Sequence, residues 1–487
     1  MRHILTRSRY LDGLQCPKLM WTKIHDRDRV STGEAWHRHV GSSGRQLEDL
    51  AKRLWQGGVE VPPFRDGAER AAATQKVLPQ RVPVFEAVFR VDGRQCRVDV
   101  LEPAPAGRWD LIAVKAGARV RNVTIQDLAF QRDVLLAAGL EIDRCRVLHV
   151  DTAYVRGEHL HVHELLRNVD VTERVLKVGP YVEKTVATLR KAAAGPEPDV
   201  PIGPHCNDPH ACRLIPACWA GLPPGNVTEL HRSGREAFAL MDEGIFRIRD
   251  IPDARLSANQ RIQKTAVVTG EVQIDHAAVR RWLDGLQWPL WFLDFETMAP
   301  AIPPHPGLRP YQQVPFQYSL HVQEQPDGPL RHHEFLHIDA GDPRPCLVRA
   351  LLDNVGPAGS VVTWNKDYER MVLQDLAAFA PRQAGPLAAI AARLVDLADP
   401  WRTFAVHHPD QRGSTSLKAV LPTVTDLDHA NLHIGSGVHA THAYEEVRAA
   451  GIAPEIRERV FGALRRYCAL DTLALAELLR WLRRTAG

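Results

Sequence analysis

Two acidic residues interrupt an otherwise apolar run, WPLWFLDFETM, in the second half of the chain. The run predicts a buried strand, and because Asp294 and Glu296 lie two residues apart, their side chains project from the same face. Buried carboxylates on one face repel each other unless something neutralises them. A pair of divalent cations does so and also activates water for phosphodiester cleavage. The run therefore predicts a strand that carries a metal site, and the alternative is an exposed, solvated acidic pair.

Two later motifs also end in acidic residues. In SVVTWNKDYER, an apolar strand leads into Asn365, Tyr368 and Glu369. In RRYCALDTLALAEL, the apolar spacing is typical of a helix, and Tyr467 and Asp471 are four residues apart, so they share a face. Each motif alone is weak, because short patterns recur by chance. Together with the first run, they predict that acids from three distant segments meet at one point.

The order D-x-E, N-x-x-Y-E, Y-x-x-x-D resembles the tyrosine-bearing branch of the DEDD exonuclease superfamily. The resemblance implies that the C-terminal third is a 3′-to-5′ exonuclease in which Tyr467 orients the attacking water. It also implies a site for two magnesium or manganese ions, held by Asp294, Glu296, Glu369 and Asp471. Glu369 departs from the aspartate that is usual in the superfamily, and its longer side chain requires a shift of the backbone.

The segment 290–487 also resembles a family of uncharacterised bacterial domains with a predicted RNase H-like fold, through FLDFET, PFQYSL and GSTSLKAVLP. In the last of these motifs, Ser414, Ser416 and Lys418 form a polar loop that either contacts phosphates or caps a helix. Asp396, in RLVDLADPW, is either an additional metal ligand or a capping residue at the end of a strand.

The N-terminal half predicts a second mixed α/β core. Its strands and helix follow the order VPVFEAVFRVD, QCRVDVLEP, WDLIAVKAG, IQDLAFQRDVLLAAGL, DRCRVLHVD. The segment 1–225 resembles the RecB-like nucleases, particularly the CRISPR-associated iron-sulfur exonucleases, which have a PD-(D/E)xK core. The resemblance implies that Asp99 is a metal ligand and that Lys115 stabilises the hydroxide or the transition-state charge. Ala113 stands where the family has a glutamate.

The missing acid leaves two interpretations open. Either this module is a degenerate platform that binds nucleic acid, or the sequence carries an inactivating Glu-to-Ala substitution. The presence of Asp99, Lys115 and Gln131 favours the second interpretation, because a long-decayed site usually loses more than one group. His39 and Glu48, on a predicted helix, either complete this site or belong to a solvated helix face.

Cysteine usage agrees with the same family. Cys206, Cys212 and Cys218 lie in HCNDPHACRLIPACW, and Cys16 lies near the start of the chain. The resemblance implies that these four residues hold a 4Fe-4S cluster, and a tetrahedral zinc site is the alternative. The other cysteines lie in apolar stretches and are predicted to be core residues: Cys96, Cys145, Cys346 and Cys468.

These patterns predict an α/β protein with two mixed-sheet modules, one restriction-endonuclease-like (1–225) and one RNase H-like (286–487). The segment 226–285 is expected to be a helical connector and offers a weak match to a helix-hairpin-helix around Glu243 and Gly244. A plain helical linker is the alternative. Such a hairpin presents backbone N–H groups to phosphates.

The composition limits the partners that we expect. The net charge of the 487 residues is only +3, so any nucleic-acid surface is local. Apolar runs stop well before the roughly 20 residues of a membrane span, and the start lacks a signal core, which favours a cytoplasmic protein. The expected partner is DNA, as single strands or duplex ends. The alternatives are an RNA-trimming exoribonuclease and a nucleic-acid-binding scaffold with two degenerate nuclease folds.

Overall fold

The computed structural model describes residues 4–31, 35–430, 432–448 and 451–486, with the side chains of 35–42 left out. The chain divides into two units. The N-terminal unit is Met1–Gly221 together with Pro300–Gln312, and the C-terminal unit is Leu222–Ala299 together with Gln313–Gly487. The predicted α/β class is confirmed, since each unit contains a mixed sheet covered by helices.

The helices and strands of the N-terminal unit follow the predicted order between residues 84 and 150. They are β1 Leu5–Thr6, α1 Arg7–Gln15, α2 Pro17–His25, α3 Ala35–Ala51, β2 Val59–Glu60, α4 Gly67–Val77, β3 Val84–Val91, β4 Arg94–Pro103, β5 Trp109–Lys115, α5 Asn122–Ala137, β6 Ile142–Val150, α6 Val162–Leu165, β7 Leu166–Asp170, α7 Thr172–Ala194 and α8 Ile215–Cys218.

The sheet of the N-terminal unit has the strand order β2-β3-β4-β5-β6-β7, and β1 pairs with β4. Strands β3, β4 and β5 are antiparallel neighbours, whereas β6 is parallel to β5. A parallel pair needs a crossover connection, and α5 provides it. Leu128 and Phe130 of α5 pack with Val98 of β4 and Leu111 of β5 in the main core. This packing places α5 over the face of β5 that carries Ala113.

The C-terminal unit begins with the segment that was expected to connect two modules. Its elements are α9 Glu236–Asp242, α10 Ala258–Thr269, β8 Gln273–Ile274, α11 His276–Asp284, β9 Leu290–Met298, β10 Val314–Gln323, β11 Leu330–Leu336, α12 Arg344–Asn354, β12 Ser360–Thr363, α13 Lys366–Phe379, α14 Ala384–Ala392, β13 Leu394–Asp396, α15 Asp399–Arg402, β14 Val406–His407, α16 Leu417–Val424, α17 Gly437–Val447 and α18 Pro454–Ala486.

Five strands of the C-terminal unit form a mixed sheet in the order β11-β10-β9-β12-β13. Strand β9 is antiparallel to β10 and parallel to β12, and β12 is parallel to β13. Strand β9 is therefore the central strand, with a paired neighbour on each side. On one face of β9, Trp291, Leu293 and Phe295 pack in a core with residues of α12 and α13. Its other face carries the two predicted acids towards α18.

The segment expected to be a helical connector contains a strand as well as helices. Gly270, in a left-handed conformation, ends α10, and Gln273 of β8 then pairs with His407 of β14. The turn at Gly244 is followed by short 3-10 turns rather than directly by a second α-helix. The residues of this segment belong to the C-terminal unit.

None of the helices in the described ranges combines the length and the apolar character needed to cross a membrane.

Candidate active site

Strand β9 carries the first two predicted acids on its α18 face. Glu296 is buried, with 6% of its surface exposed, while Asp294 is half-buried. Their neighbours Leu293 and Phe295 alternate to the opposite face and are buried in a core, as the period of a strand requires. Asp294 therefore keeps an accessible surface next to a carboxylate that has almost none.

Helix α18 supplies the next two predicted residues. Tyr467 and Asp471 are both buried on the face that contacts the sheet. Three hydrogen bonds fix the helix against β10: Gln317 Nε2 donates to Leu464 O at 3.0 Å, and the Thr472 hydroxyl lies 2.6 Å from the Ser319 hydroxyl and 2.8 Å from His321 Nδ1. In the register of the sheet, Ser319 is opposite Asp294, so these bonds hold α18 directly over the acidic pair.

Glu369 lies in the first turn of α13, just after β12. Its side chain is 3% exposed, and its Oε2 atom is buried without a hydrogen-bond partner among the residues described. A buried acceptor that lacks a partner loses the full free energy of its hydration. The longer side chain at this position therefore brings an unsatisfied oxygen to the interior of the unit.

The other three acids act electrostatically on Asp294. The pKa of Asp294 is raised well above its ordinary value by burial and by the charges of Asp471, Glu296 and Glu369. Burial, followed by the charge of Asp471, raises the pKa of Glu296 to about 8. Burial also raises the pKa of Glu369 to about 8. Acids from β9, α13 and α18 thus lie near enough to Asp294 for their charges to act on it.

The hydroxyl of Tyr467 is held by a lysine. Lys418 Nζ, on α16, donates to Tyr467 Oη at 3.1 Å and to Gly435 O at 2.6 Å. The same ammonium lies 5.0 Å from the centroid of the Tyr467 ring. The carbonyl of Gly435 and the phenol therefore fix the lysine beside the acids, whose charges act on it.

Two further residues of the site, His429 and Cys468, were not predicted from the sequence to be part of it. His429 Nε2 lies 2.8 Å from Asp471 Oδ1, and its ring makes an edge contact with Tyr467. Cys468 Sγ lies 3.7 Å from Asp294 Oδ2. The position of Cys468 directly after Tyr467 was visible in the sequence, but its apolar surroundings indicated only a core residue. That prediction of burial is correct, whereas Cys346 is exposed, because it lies off the face of α12 that packs inward.

The other polar candidates in this unit have capping roles. Asp396 accepts hydrogen bonds from Lys366 N, Ala398 N and Arg402 NH1, at 2.6 to 3.1 Å. Ser416 is the N-cap of α16 and accepts from Ala419 N at 3.3 Å. Ser414 hydrogen-bonds to Ser416. The capping alternatives account for these three side chains, while Lys418 faces the acids.

In the N-terminal unit, Asp99 of β4 and Lys115 of β5 are partners. Asp99 Oδ2 accepts from Lys115 Nζ at 3.1 Å and from Val114 N at 3.0 Å. These donors, chiefly the Lys115 charge, hold the pKa of Asp99 below its ordinary value despite burial. Ala113 is buried beside them. The predicted pair thus meets, with a methyl group where the family's second acid is expected.

Other acids near this pair are already neutralised by arginines. Asp127 accepts from Arg7 Nε at 2.6 Å and from Gln131 Nε2 at 2.7 Å. Glu48 lies 3.6 Å from Arg97 in an ion pair. Asp99 itself pairs with Lys115, and Arg7 lies 3.8 Å from its other oxygen, so these residues do not fit a hydrolytic metal site as they stand. The side chain of His39 lies outside the described residues.

The four predicted cysteines come together from the two ends of the N-terminal segment. Cys16 is the N-cap residue of α2, Cys206 ends a 3-10 turn, and Cys218 ends α8. The thiols are close enough to interact, since burial and then the neighbouring thiols contribute to the raised pKa of Cys212. Leu214 N lies 3.5 Å from Cys212 Sγ. All four are free thiols, and their sulfur atoms fit the donor set of an iron-sulfur or zinc site.

Comparison with known families reaches only part of the C-terminal unit. A family described as a domain of unknown function (DUF2779) matches residues 291–416. That segment includes β9 and Glu369 and ends before α18. None of the curated proteins matches the chain. Over residues 291–416 the chain is therefore similar to a family whose function is not assigned.

Proposed function

We propose that this protein is a metal-dependent nuclease whose C-terminal unit removes nucleotides from the 3′ ends of DNA. The observation that carries the proposal is that Asp294 lies near Asp471, Glu296 and Glu369, whose charges add to burial in raising its pKa. Carboxylates gathered in the interior are costly unless cations neutralise them. A nuclease has a use for such an arrangement, because divalent cations assist phosphodiester cleavage.

The topology supports the same assignment. The strand order β11-β10-β9-β12-β13, with three antiparallel strands followed by two parallel ones, is the order of the RNase H-like fold implied by the sequence. The two β9 acids lie on the central strand of this sheet. A fold alone does not fix a function, so the proposal depends on the acids and not on the topology.

The acids fit magnesium or manganese. Asp294, Glu296, Glu369 and Asp471 offer carboxylate oxygens, which are the ligands that these hard cations prefer. The unpaired buried Oε2 of Glu369 is an oxygen that such an ion would satisfy. When bound, the ions supply activation of water and stabilisation of the leaving oxygen.

The chain's own residues orient the reacting groups. Lys418 holds the Tyr467 hydroxyl at 3.1 Å, so the phenol keeps a fixed position from which to orient a water molecule. The Lys418 ammonium is also a cation beside the acids, suited to a phosphate oxygen. His429 holds the Asp471 carboxylate in one orientation. The 3′ end of a nucleic acid is proposed to enter from the half-buried side of Asp294.

The N-terminal unit is proposed to bind DNA with its PD-(D/E)xK-like fold rather than to cut it, because Ala113 removes an acid. The cysteine cluster is proposed to hold a 4Fe-4S cluster, with zinc as the rival, and to fasten α2 to the loop around α8. Free thiols at one point are typical of a reducing compartment, so a cytoplasmic location is part of the proposal.

The test is an end-labelled degradation assay on the full chain. Single-stranded and duplex DNA and RNA, labelled at either end, are incubated with magnesium, manganese or chelator. We expect metal-dependent shortening from the 3′ end that Asp294→Asn abolishes. Asp353→Asn, an exposed acid on α12, is the matched control and keeps full activity.

Other results of the assay would change the proposed substrate, contradict the enzyme assignment or contradict the metal mechanism. Faster loss of RNA than of DNA changes the substrate to RNA and retains the mechanism. Binding without any cleavage, in wild type and Asp294→Asn alike, contradicts the enzyme and favours a binding scaffold. Activity that survives in chelator contradicts the metal mechanism.

A further inference from the structure

A thiol lies among the acids of the candidate active site. Cys468, on α18, is completely buried, and its Sγ lies 3.7 Å from Asp294 Oδ2 and 4.0 Å from Asp294 O. One ligand atom each from Asp294, Glu296 and Cys468 can be chosen so that all three lie within 4.8 Å of one another. The hard oxygen ligands of the site are therefore accompanied by one soft sulfur.

A second observation at the same place indicates a cation. Glu369 is 3% exposed, and its Oε2 is buried without a hydrogen bond from any described residue. Its charge acts on Asp294, so Glu369 lies near the same group of ligands. A buried carboxylate oxygen without a donor is stabilised by a metal ion. The charge of Arg402 acts on Glu369, but none of the described residues donates a hydrogen bond to its Oε2, so a bound cation would satisfy this oxygen.

The spacing of the sulfur and the oxygen suits a tetrahedral ion. Zinc binds sulfur at about 2.3 Å and carboxylate oxygen at about 2.1 Å, so a tetrahedral angle separates these two ligands by about 3.6 Å. The observed distance between Cys468 Sγ and Asp294 Oδ2 is 3.7 Å. Three protein ligands with an open fourth position are also the usual set for an accessible zinc ion.

We propose that Asp294, Glu296 and Cys468 form a site for a thiophilic divalent cation of the zinc class, which competes with magnesium or manganese for the same acids. The inference rests on the proposed function, because competition matters only if the hard ions support hydrolysis. Sulfur favours zinc over magnesium, and zinc also binds mixed sites more tightly than manganese. Zinc is then an inhibitor of this nuclease.

The direct test uses cadmium as a spectroscopic probe of the full chain. Cadmium bound to a thiolate gives an ultraviolet charge-transfer band, which is independent of any activity. We expect Cys468→Ser to lose one bound cadmium and the part of the band that belongs to it. Cys346→Ser, an exposed cysteine of the same unit, is the matched control and keeps both. The four N-terminal cysteines contribute the same background to every variant.

A band and a stoichiometry that are unchanged in Cys468→Ser overturn the proposal. If that variant does not fold, Asp294→Asn replaces it, since loss of a carboxylate ligand weakens cadmium binding at the same site. Unchanged cadmium binding in Asp294→Asn equally overturns the proposal.

A second experiment separates this inference from the proposed function. Zinc is added to the magnesium-supported reaction of wild type and of Cys468→Ser, and the concentration that halves the rate is compared. We expect that concentration to rise at least about 10-fold in the variant, since a soft ligand is lost. If cleavage occurs but neither cadmium binding nor zinc inhibition depends on Cys468, the proposed nuclease activity is retained and the proposed cation site is rejected. If no cleavage occurs, the cadmium titration still decides whether the site exists.

Discussion

His429 Nε2 lies 2.8 Å from Asp471 Oδ1, and both side chains are buried. An ionised carboxylate only accepts hydrogen bonds, so Nε2 carries the hydrogen whenever Asp471 is ionised. The other ring nitrogen, Nδ1, is buried and without a hydrogen-bond partner in the described part of the chain. The imidazole therefore has one evident task, which is to fix the orientation of this carboxylate.

Substitution of His429 is expected to weaken the site without unfolding it. His429→Ala should lower metal affinity or kcat/KM by roughly 10- to 100-fold, the usual cost of losing a partner behind a metal ligand. His429→Gln keeps an N–H donor and should recover part of the loss. Rates and manganese titrations of both variants check this, with His333→Ala on β11 as the control. Equal rates in wild type and His429→Ala contradict the role.

The metal-free protein is expected to lose stability as the pH rises. The pKa values of Glu296 and Glu369 are raised from 4.5 to about 8. Between these values the folded state binds more protons than the unfolded state, so its stability is complete below pH 4.5 and falls as the pH rises through 8. Each group contributes a slope of up to ~1.4 kcal/mol per pH unit. Thermal unfolding in chelator measures this slope.

Magnesium is expected to oppose that loss, because it binds the ionised carboxylates. The increase in Tm caused by magnesium should therefore grow between pH 5 and pH 8, the upper limit being the raised pKa of Glu296. Glu296→Gln should flatten the slope in chelator and raise the metal-free Tm by about 2–4 °C for each ~1 kcal/mol gained. A Tm that does not change with pH in chelator contradicts this prediction.

The Tyr467 hydroxyl is expected to act on the rate rather than on stability. Tyr467→Phe removes the group held by Lys418 at 3.1 Å and keeps the ring. We expect kcat to fall on the order of 10²-fold, the lower range for a positioned proton-transfer or water-orienting group, with metal binding unchanged. Tyr318→Phe is the control, since its hydroxyl bonds to Asn354 instead. A comparable loss in both variants contradicts a specific role.

The cysteine cluster is expected to hold iron. The purified protein should show a broad visible absorbance and about four irons per chain, whereas zinc without visible colour assigns the rival metal. Cys212→Ser should lose the metal and become sensitive to limited proteolysis around the loop of Cys206 and α8, which the cluster then no longer fastens. Cys346→Ser should keep its metal. Retention of the full metal content by Cys212→Ser contradicts the four-cysteine set.

Restoring the missing acid tests the N-terminal unit. Ala113→Glu, made in the Asp294→Asn background, places a carboxylate on the strand face of Lys115, beside Asp99. If the remaining residues are an otherwise intact site, we expect metal-dependent cleavage to appear and metal to raise the Tm. Ala113→Gln is the matched control without charge. A Glu variant that neither binds metal nor cleaves DNA assigns the unit to nucleic-acid binding alone.

Much of the fold was accessible from local sequence patterns. Asp294 and Glu296 lie two residues apart in the apolar run of β9, so their shared face follows from the period of a strand. The helix that carries Tyr467 and Asp471 was equally clear from its spacing. In each motif, the spacing of a few neighbouring residues determines which side chains share a face. The motifs could therefore be found without an alignment.

The missed residues depend on contacts between distant segments. Cys468 and Asp294 are 174 residues apart, and the sequence around Cys468 contains no pattern that indicates contact with an acid. His429 lies in a polar loop with no periodicity, 42 residues before Asp471. The prediction that Cys346 is buried is wrong for a related reason. Its apolar neighbours suggested burial, but which face of α12 packs inward depends on the rest of the unit.

The division of the chain limits how the two units can be separated. The boundaries at 221/222, 299/300 and 312/313 mean that the polypeptide leaves one unit and enters the other three times. The excursion Pro300–Gln312 begins two residues after the strand that bears Asp294 and Glu296. A single cut therefore cannot separate the two units cleanly, because a cut at 221/222 leaves Pro300–Gln312 with the C-terminal unit, and a cut at 312/313 leaves Leu222–Ala299 with the N-terminal unit.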